Sequence, residues 1–417
     1  MSRRGLLAFF LLLGACQRSS SEPAPAAPVP CTAQASAPEG ASNEAAPPEP
    51  VAAPPLDEGP ARGGMPPVAP LAICRAEGIS PLEAARRYYD EGHFEAALSC
   101  AAQSAALDPD LAEAHAERGM ALSELGRIPE AQMAFSRALA LDPGSREALL
   151  GAAHLYAVQL PSTRERDELG LLYSERGLSQ PGTPPDAVVQ FALLSAMAFN
   201  DLGQAGDALE RAAIVLAREP GNHEASFERA LALFELCRFA EAKTAFTALL
   251  KFPDREAHAH QRLGLLLERE GKWTQAQRHF DKARALAPQD FPLPPLPSQE
   301  EFRAAVARAV EALPEDMRKD LEGIPVTAEE IPADADLMSG EPPLSPAILG
   351  LFRGPPLGEP CDGSETPCRS VALYRRNLAR VVSSNAELLE QIQVTLLHEV
   401  GHLRGEDDEE LAARGLE

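Results

Sequence analysis

The sequence predicts a mainly α-helical protein in three parts: an N-terminal segment without periodic structure, an α-solenoid of paired helices, and a small C-terminal α+β domain. Fourteen of the 39 prolines fall within residues 17–70, which separates the first part from the rest. A helical pattern then recurs with a period of 34 residues. Near the C-terminus, two short β-like runs precede one long helical pattern. With 417 residues and 45% hydrophobic content, the chain can bury more than one core.

The charge balance excludes one class of partner. Sixty-two acidic side chains against 38 basic ones give a formal net charge of −24. Because phosphate backbones are bound by basic surfaces, we expect no nucleic-acid partner. Seven cysteines over this length are also too few for a disulfide-rich scaffold.

Residues 1–16 have the pattern of an export signal. Arg3 and Arg4 precede a short apolar run that ends in small residues. This run is too short to cross a bilayer, which takes about 20 residues. Its end, Leu13-Gly14-Ala15-Cys16, resembles the bacterial lipobox, which implies that Cys16 is lipidated and becomes the mature N-terminus. The alternative is an ordinary signal peptide that contains a chance cysteine.

The same resemblance predicts how the folded part is attached to the membrane. Gln17 stands where an aspartate is associated with inner-membrane retention, so we expect an outer-membrane anchor through the N-terminal lipid. The periplasmic face is expected, with surface exposure as the alternative. Residues 17–77 lack the apolar surface that would offset their ordering entropy, and they are expected to form a disordered tether.

Residues 78–290 contain an internal repeat. Six positions recur 145 residues further along the chain, namely Gly119, Gly126, Ala131, Phe135, Ala138 and Pro143 as Gly264, Gly271, Ala276, Phe280, Ala283 and Pro288. The pattern resembles the tetratricopeptide repeat, in which small residues let paired helices approach and a proline ends the second helix. Regular units are predicted at 78–111, 112–145, 189–222, 223–256 and 257–290, with an expanded unit at 146–188.

The resemblance implies a curved solenoid whose inner groove is lined by the first helix of each pair. It places apolar side chains there, together with the acidic residues Asp90, Glu124, Asp201, Glu235 and Glu268. Such a groove favours apolar or basic peptides over acidic ones and is expected to bind other envelope proteins or a substrate. The alternative is that each of these side chains only packs against the neighbouring repeat.

Residues 291–299 are rich in proline and are predicted to form a hinge before a separate domain over 300–417. This domain is predicted to begin with a helix over 300–313, followed by β-like runs at 324–327 and 370–374. A long helix then runs from a capping box of Ser384 and Glu387 to Gly405. Its predicted buried stripe consists of Leu389, Ile392, Leu396 and Val400.

The long helix carries the strongest chemical signal, His398-Glu399-Val400-Gly401-His402. Histidines four residues apart lie one above the other on a helix, so both imidazoles can reach one tetrahedral ion. The intervening Glu399 is placed to hold and deprotonate a water molecule at that ion. Gly405 permits the chain reversal that brings a third ligand back, and five carboxylates follow over 406–410.

Residues 398–408 read as HExxHxxGxxD and resemble the extended zinc motif of metzincin-type peptidases, with Asp408 in place of the last histidine. More closely, 300–417 resembles the small zincin-like metallopeptidases of bacteria, on the segments 302–314, 348–359, 373–376 and 395–411. The resemblance implies a minimal zincin fold, with a small sheet on an active-site helix. Zn²⁺ is expected on His398, His402 and Asp408, with Asp407 and Glu409 as alternative third ligands.

Two features depart from that pattern. Arg404 stands where relatives usually carry an aromatic residue, and the segment from Cys361 to Cys368 is an insertion. In an oxidising compartment a disulfide between these two cysteines would stabilise the loop by about 2.5 kcal/mol. Cys74 and Cys100 are interpreted as small apolar repeat residues, with a disulfide between them as the alternative.

These observations predict an envelope-anchored zinc peptidase. His398, His402 and Asp408 would hold the ion and leave its fourth position to water, and Glu399 would act as general base for attack on a peptide carbonyl. Tyr374 and Arg375 are weaker candidates for assistance, because the resemblance to zincins implies that the strand beside them pairs with an extended substrate. One alternative is a repeat-containing scaffold lipoprotein whose terminal domain is catalytically silent. Another is a zinc amidase acting on cell-wall peptides.

Overall fold

The computed structural model describes residues 73–76, 78–361, 363 and 367–416. Cys16, the predicted signal peptide and nearly all of the predicted tether lie outside the described residues. None of the helices in the described part of the chain is long and apolar enough to cross a membrane.

The helical array consists of six consecutive pairs of helices. Their bounds are α1 Pro81–Asp90, α2 Phe94–Leu107, α3 Ala112–Glu124, α4 Ile128–Leu141, α5 Arg146–His154, α6 Arg164–Leu178, α7 Pro185–Asp201, α8 Ala205–Arg218, α9 His223–Glu235, α10 Phe239–Leu249, α11 Glu256–Arg269 and α12 Trp273–Leu286. Each predicted repeat unit corresponds to one pair, although α7 starts slightly before the predicted boundary at 189. In the expanded unit a π-helical turn, Leu155–Gln159, extends α5.

Small residues let the helices of a pair approach, as the repeat pattern predicts. A Cβ atom on Gly119 would lie 2.6 Å from the ring of Phe135, and one on Gly264 would overlap the ring of Phe280. Such separations are far below van der Waals contact, so only glycine fits at either position. The two contacts are equivalent in the second and last pairs, which explains why these residues recur together.

The turn inside each regular pair contains a residue with positive φ. It is glycine in four of them, namely Gly92, Gly126, Gly203 and Gly271, but Cys237 with φ 56° in the pair α9/α10. A side chain in this left-handed region is strained, and Cys237 is placed where its Sγ lies 3.7 Å from the carbonyl oxygen of Leu344 in the terminal domain. Cys74 and Cys100 form a disulfide that fastens residues 73–76 to α2.

The terminal domain contains a three-stranded sheet and six helices among the described residues. Their bounds are α13 Gln299–Ala312, α14 Glu315–Asp320, β1 Val326–Glu329, α15 Asp334–Leu337, β2 Gly350–Arg353, β3 Ser370–Tyr374, α16 Arg375–Arg380, α17 Asn385–Arg404 and α18 Asp408–Ala413. The strand order is β1-β3-β2, with β1 parallel and β2 antiparallel to the central strand. The sequence predicts β1 and β3, and β2 is an addition from the structure.

The two faces of the central strand bury different cores. Val371 and Leu373 point to one face, where α13 and α17 cover them with apolar side chains. Ala372 and Tyr374 point to the other, in a cluster with Leu337, Leu344 and Ile348. Cys237 and Phe239 of the helical array pack against this second cluster. Because part of its core is supplied by the array, the terminal domain is not closed on that side by its own residues.

Ion pairs extend this interface along the inner helices of the last two repeats. Glu268 on α11 is 3% exposed, and its carboxylate accepts hydrogen bonds from Arg376, at 2.8 Å, and from Arg380. Glu235 on α9 accepts a 2.6 Å bond from the hydroxyl of Ser345. Two of the acidic residues predicted to line an open groove therefore bind the terminal domain of the same chain.

The proline-rich segment predicted as a hinge is held at both ends. The ring of Phe291 packs edge-on against His258 of α11, with centroids 5.1 Å apart. The carbonyl oxygen of Pro297 accepts a hydrogen bond from Arg375. Ser298 then starts α13 with a complete capping box that involves Glu301.

Candidate metal centre

The site is built on α17, whose ends follow from local sequence. The hydroxyl of Ser384 accepts a bond from the Glu387 N–H, while the Glu387 carboxylate accepts from the N–H of Ser383 rather than that of Ser384. The predicted capping box is therefore only half formed. At the other end Gly405 adopts φ 94°, the left-handed conformation that ends the helix. The buried stripe begins at Leu388, whereas Leu389, predicted to be buried, is 47% exposed.

The structure brings His398, His402 and Asp408 together. The Nε2 atoms of the two imidazoles are 2.9 Å apart. The Oδ1 atom of Asp408 lies 3.2 Å from Nε2 of His402 and 3.6 Å from Nε2 of His398. A tetrahedral zinc ion with bonds of about 2.0–2.1 Å separates its ligand atoms by about 3.4 Å, close to these distances. The three side chains are 8%, 18% and 25% exposed, so the group reaches solvent on the His402 and Asp408 side.

Backbone carbonyls fix the orientation of both rings. Nδ1 of His398 lies 2.7 Å from the carbonyl oxygen of Leu416, and Nδ1 of His402 lies 3.0 Å from that of Glu406. A carbonyl oxygen only accepts, so each Nδ1 carries the proton and each neutral ring presents an Nε2 lone pair. Two lone pairs facing each other at 2.9 Å repel unless a cation lies beside them. Two imidazole nitrogens and a carboxylate oxygen are a donor set that suits zinc.

The reversal that delivers Asp408 depends on two glycines. Gly405 turns the chain, and Asp407 then caps α18 in a reciprocal pair of hydrogen bonds with Glu410. Leu411 of α18 is completely buried and packs directly on Gly401, where a Cβ atom would overlap its side chain. Asp407 is thus engaged in capping, which leaves Asp408, at the first turn of α18, as the carboxylate beside the imidazoles.

Glu399 lies beside the three ligands but does not belong to the group. It is 6% exposed, and its Oε2 accepts a 2.6 Å hydrogen bond from the backbone N–H of Phe352 on β2. Burial raises the pKa of Glu399 to about 7, although the nearby His402 and the Phe352 N–H act in the opposite direction. A carboxylate with this pKa can accept and release a proton near neutrality.

The two histidines have opposite protonation tendencies. Burial lowers the pKa of His398 and outweighs the hydrogen bond to Leu416. Burial also disfavours the charged form of His402, but only this form can donate from Nε2 to Asp408, and the charge of Glu399 also favours it, so the pKa of His402 is raised. Asp408 lies closer to His402, at 3.2 Å, than to His398, at 3.6 Å, and this accounts for part of the difference.

Tyr374 is placed away from the three ligand atoms. Its side chain is completely buried in the cluster with Leu337 and Leu344, and its hydroxyl lies 3.4 Å from Nη2 of Arg353. Burial raises its pKa well above the ordinary value. Arg353 is itself held by two carboxylates, Glu329 and Asp336. This environment does not support the predicted contact between Tyr374 and a substrate, because the sheet and the array cover the ring.

The two departures from the family pattern each have a structural role. Arg404 reaches back to α14 and pairs with Asp316 at 2.8 Å and Asp320 at 2.6 Å, which ties the end of α17 to α14. Cys361 and Cys368 form a disulfide. The loop before it is fastened to the same helix end, where the N–H of Leu357 donates to the carbonyl oxygen of Leu403 at 2.8 Å.

Sequence reasoning missed the groups that hold the predicted residues in place. These groups are backbone atoms, namely the carbonyls of Glu406 and Leu416 and the N–H of Phe352. A pattern of side chains in the sequence does not predict them. Gly350 is different, because an isolated glycine at the start of a strand signals a close approach by another group. The glycine is present in the sequence, but it could serve as this signal only with β2 predicted, and β2 was not.

Comparisons with known proteins agree with this division of the chain. Residues 321–416 match a family model described as zincin-like metallopeptidase. Tetratricopeptide-repeat models match 82–146, 117–160, 193–251 and 257–290. No curated protein matches the chain.

Several solved structures are similar to part of the chain. YrrB, described as a TPR protein with an unusual peptide-binding site, is 19% identical to this chain, with a TM-score of 0.37. The match covers 45% of this chain and 92% of YrrB. PilF of Pseudomonas aeruginosa is 15% identical with a TM-score of 0.42 and coverage of 54% and 95%. PilW, described as a type IV pilus biogenesis factor, is 19% identical with a TM-score of 0.41 and coverage of 54% and 96%. The chain thus contains an array of tetratricopeptide repeats followed by a C-terminal zincin-like metallopeptidase domain.

Proposed function

We propose that this protein is a zinc-dependent peptidase that hydrolyses peptide bonds and is anchored to the cell envelope by its N-terminal lipid. The observation that carries the proposal is the convergence of His398, His402 and Asp408, beside a buried carboxylate at Glu399. Two oriented neutral imidazoles and one carboxylate would hold a zinc ion, and three protein ligands are the set that leaves one position to water in catalytic zinc sites. The match of 321–416 to zincin-like metallopeptidases supports the same reaction class.

The chemistry of each group determines its role in the proposed reaction. Zinc held by the three side chains would supply Lewis acidity, which brings the pKa of water towards about 7 and polarises a peptide carbonyl. Leu416 and Glu406 keep the ring protons on Nδ1 through their carbonyl oxygens, so that both Nε2 atoms remain available. Glu399 accepts a proton from the attacking water at its carboxylate and returns it to the nitrogen of the leaving amine.

The repeat array is the part that recruits a protein or peptide. Tetratricopeptide arrays present an extended inner surface, and the inner helices of the first repeats carry acidic side chains such as Asp90 and Glu124. Both are exposed, whereas Glu235 and Glu268 at the other end bind the terminal domain. Recruitment is therefore assigned to the N-terminal repeats, and an apolar or basic segment fits their charge.

The activity is tested with the full chain, because residues of the array cover part of the core of the terminal domain. Purified protein is loaded with one equivalent of Zn²⁺ and incubated with casein and a peptide library. Glu399→Gln keeps the shape of the side chain but removes the base, and we expect it to lower the rate by about 10²–10⁴-fold while zinc is retained. Glu390→Gln is the matched control, since Glu390 is an exposed glutamate on the same helix.

Two outcomes would contradict the proposal. Zinc bound with equal stoichiometry and no cleavage difference between wild type and Glu399→Gln would favour a scaffold with a silent metal site. Cleavage of peptidoglycan fragments but of no protein or peptide substrate would favour an amidase. Loss of activity in the Glu390→Gln control would show that the assay reports folding rather than chemistry.

The envelope anchor rests on residues 1–16 and is tested separately. In a bacterial host, wild type is expected to incorporate a labelled fatty acid and to fractionate with the outer membrane. Cys16→Ala is expected to lose both properties while its zinc content stays the same. Equal labelling of the two forms would show that Cys16 is not the lipidated residue.

A further inference from the structure

The outer edge of β2 is directed at the active-site helix. Among the described residues β2 pairs only with β3, and Phe352 lies opposite Val371. The N–H of Val371 donates to Pro325, on the β1 side, so Phe352 and Val371 form the type of antiparallel pair that shares no hydrogen bonds. The N–H of Phe352 therefore points away from the sheet, and it donates to Oε2 of Glu399 at 2.6 Å.

Gly350, two residues earlier, makes room for the same carboxylate. A Cβ atom at this position would lie 2.8 Å from Oε1 of Glu399, 3.0 Å from its Cγ, and 2.7 Å from Cγ2 of Thr395. Because residue 350 has no side chain, the carboxylate of Glu399 and the methyl group of Thr395 can lie against the backbone of β2. One oxygen of Glu399 is thus bound by Phe352 and the other lies against the empty side of Gly350.

We infer that the segment from Gly350 to Phe352 is a positioning device for Glu399, an inference that rests on the proposed peptidase function of that residue. A glutamate side chain has three rotatable bonds and would otherwise sample several orientations. The N–H of Phe352 and the bare backbone at Gly350 select one of them, with the carboxylate held between β2 and the helix. Gly350 and Phe352 act through Glu399 and need not touch the substrate.

The first test does not depend on activity. Full-length protein is labelled with ¹⁵N-phenylalanine, and hydrogen exchange of the Phe352 amide is followed by NMR. Because this edge amide is protected by Glu399, we expect Glu399→Ala and Gly350→Ala to speed its exchange by about tenfold, the factor for loss of one hydrogen bond. Gly358→Ala is the control, since a Cβ atom there meets nothing within 4 Å. Unchanged exchange in Glu399→Ala and Gly350→Ala would overturn the inference.

The second test asks whether Gly350 acts through Glu399. Gly350→Ala forces the flexible carboxylate to move, and we expect kcat to fall by about 10–100-fold with KM and zinc affinity nearly unchanged. In a Glu399→Gln background, where no base remains, Gly350→Ala should add no further loss. An equal factor in both backgrounds would show that Gly350 acts independently of Glu399 and would overturn the inference.

The two tests separate this inference from the proposed function. Faster exchange of the Phe352 amide in a protein that cleaves no substrate would disprove the peptidase and leave the positioning contact in place. Full peptidase activity in Gly350→Ala, with Glu399→Gln inactive, would preserve the peptidase and disprove the positioning role. If Gly350→Ala alone lowers the melting temperature, its zinc affinity distinguishes the two causes. A folding defect lowers the zinc affinity and counts against the positioning role, whereas a displaced carboxylate leaves the zinc affinity unchanged.

Discussion

The identity of the third ligand is decided by a single position in the acidic run after Gly405. Asp407 caps α18. Glu409 is exposed and follows Asp408, the carboxylate that contacts the imidazoles, in the sequence. Among the described carboxylates, only that of Asp408 places an oxygen within 3.2 Å of Nε2 of His402. Three neighbouring carboxylates of similar chemistry thus have three different environments.

Zinc affinity should separate these three carboxylates. Asp408→Asn removes a charged ligand, and we expect it to weaken zinc binding by more than about 100-fold. Mutation of a residue that only hydrogen-bonds to a ligand already lowers metal affinity by about 10–100-fold. Asp407→Asn can still cap the helix and should change affinity only slightly. Glu409→Gln is the matched control. Competition titration with a chelator measures all three, and equal losses for Asp407→Asn and Asp408→Asn would contradict the assignment.

Asp167, in the expanded repeat, gives a pH-dependent prediction. It is 1% exposed and accepts a 2.6 Å bond from the hydroxyl of Ser162. Burial raises its pKa from 3.8 to about 6. Folding therefore favours the protonated form of Asp167. Its contribution to the free energy of unfolding is fully present below about pH 4 and is lost as the pH rises through about 6. Ionised at neutral pH, the group costs on the order of 3 kcal/mol.

Asp167→Asn keeps the oxygen that accepts from Ser162 but removes the charge. Its melting temperature is expected to exceed that of wild type, and the difference should grow between about pH 4.5 and about pH 7.5. Thermal unfolding at the two pH values measures it, with Asp186→Asn, on the exposed start of α7, as the control. A difference that shrinks with rising pH would show that the carboxylate is stabilised in the folded protein.

At the scale of elements, the sequence predicts what depends on periodicity. The repeat units, α13, β1, β3 and α17 follow from spacing, and the two histidines follow from the helical period. β2 was missed because its four residues contain a glycine and an arginine and show no alternation that distinguishes them from a loop. Its existence depends on pairing with β3, which is distant in sequence.

The short helix α18 shows a second limit of sequence reasoning. Gly405 predicts a reversal, but the direction in which Asp408 points is set by the contact between Leu411 and Gly401. Both residues are small or apolar, and neither is a ligand. A motif therefore predicts which side chains can bind the ion, while the packing of the next helix determines which one does.

At the scale of the whole molecule, the array and the terminal domain share one interface. Arg376 of α16 lies over the ring of Trp273 at 4.6 Å, and Arg380 lies over Phe280 at 5.3 Å. Both guanidinium groups converge on Glu268, which is almost completely buried. The sequence suggested a mobile connection here, because a proline-rich segment alone carries no information about the contacts that span it.

Removal of Glu268 should loosen this interface. Two partly buried arginines would lose their common partner, the buried Glu268. Breaking a buried ion pair from one side costs about 3–5 kcal/mol, and we expect a loss at the lower end because Arg376 keeps its pair with Glu330. We expect Glu268→Ala to lower the melting temperature and to expose residues 291–298 to limited proteolysis in the full chain. Glu124→Ala is the matched control, because Glu124 is an exposed acidic residue of an inner helix whose carboxylate accepts hydrogen bonds from Tyr89 and Gln159 of the array. If both variants were cleaved at the rate of wild type, the acidic end of the array would not hold the terminal domain, and the groove predicted from the sequence would be open along its whole length.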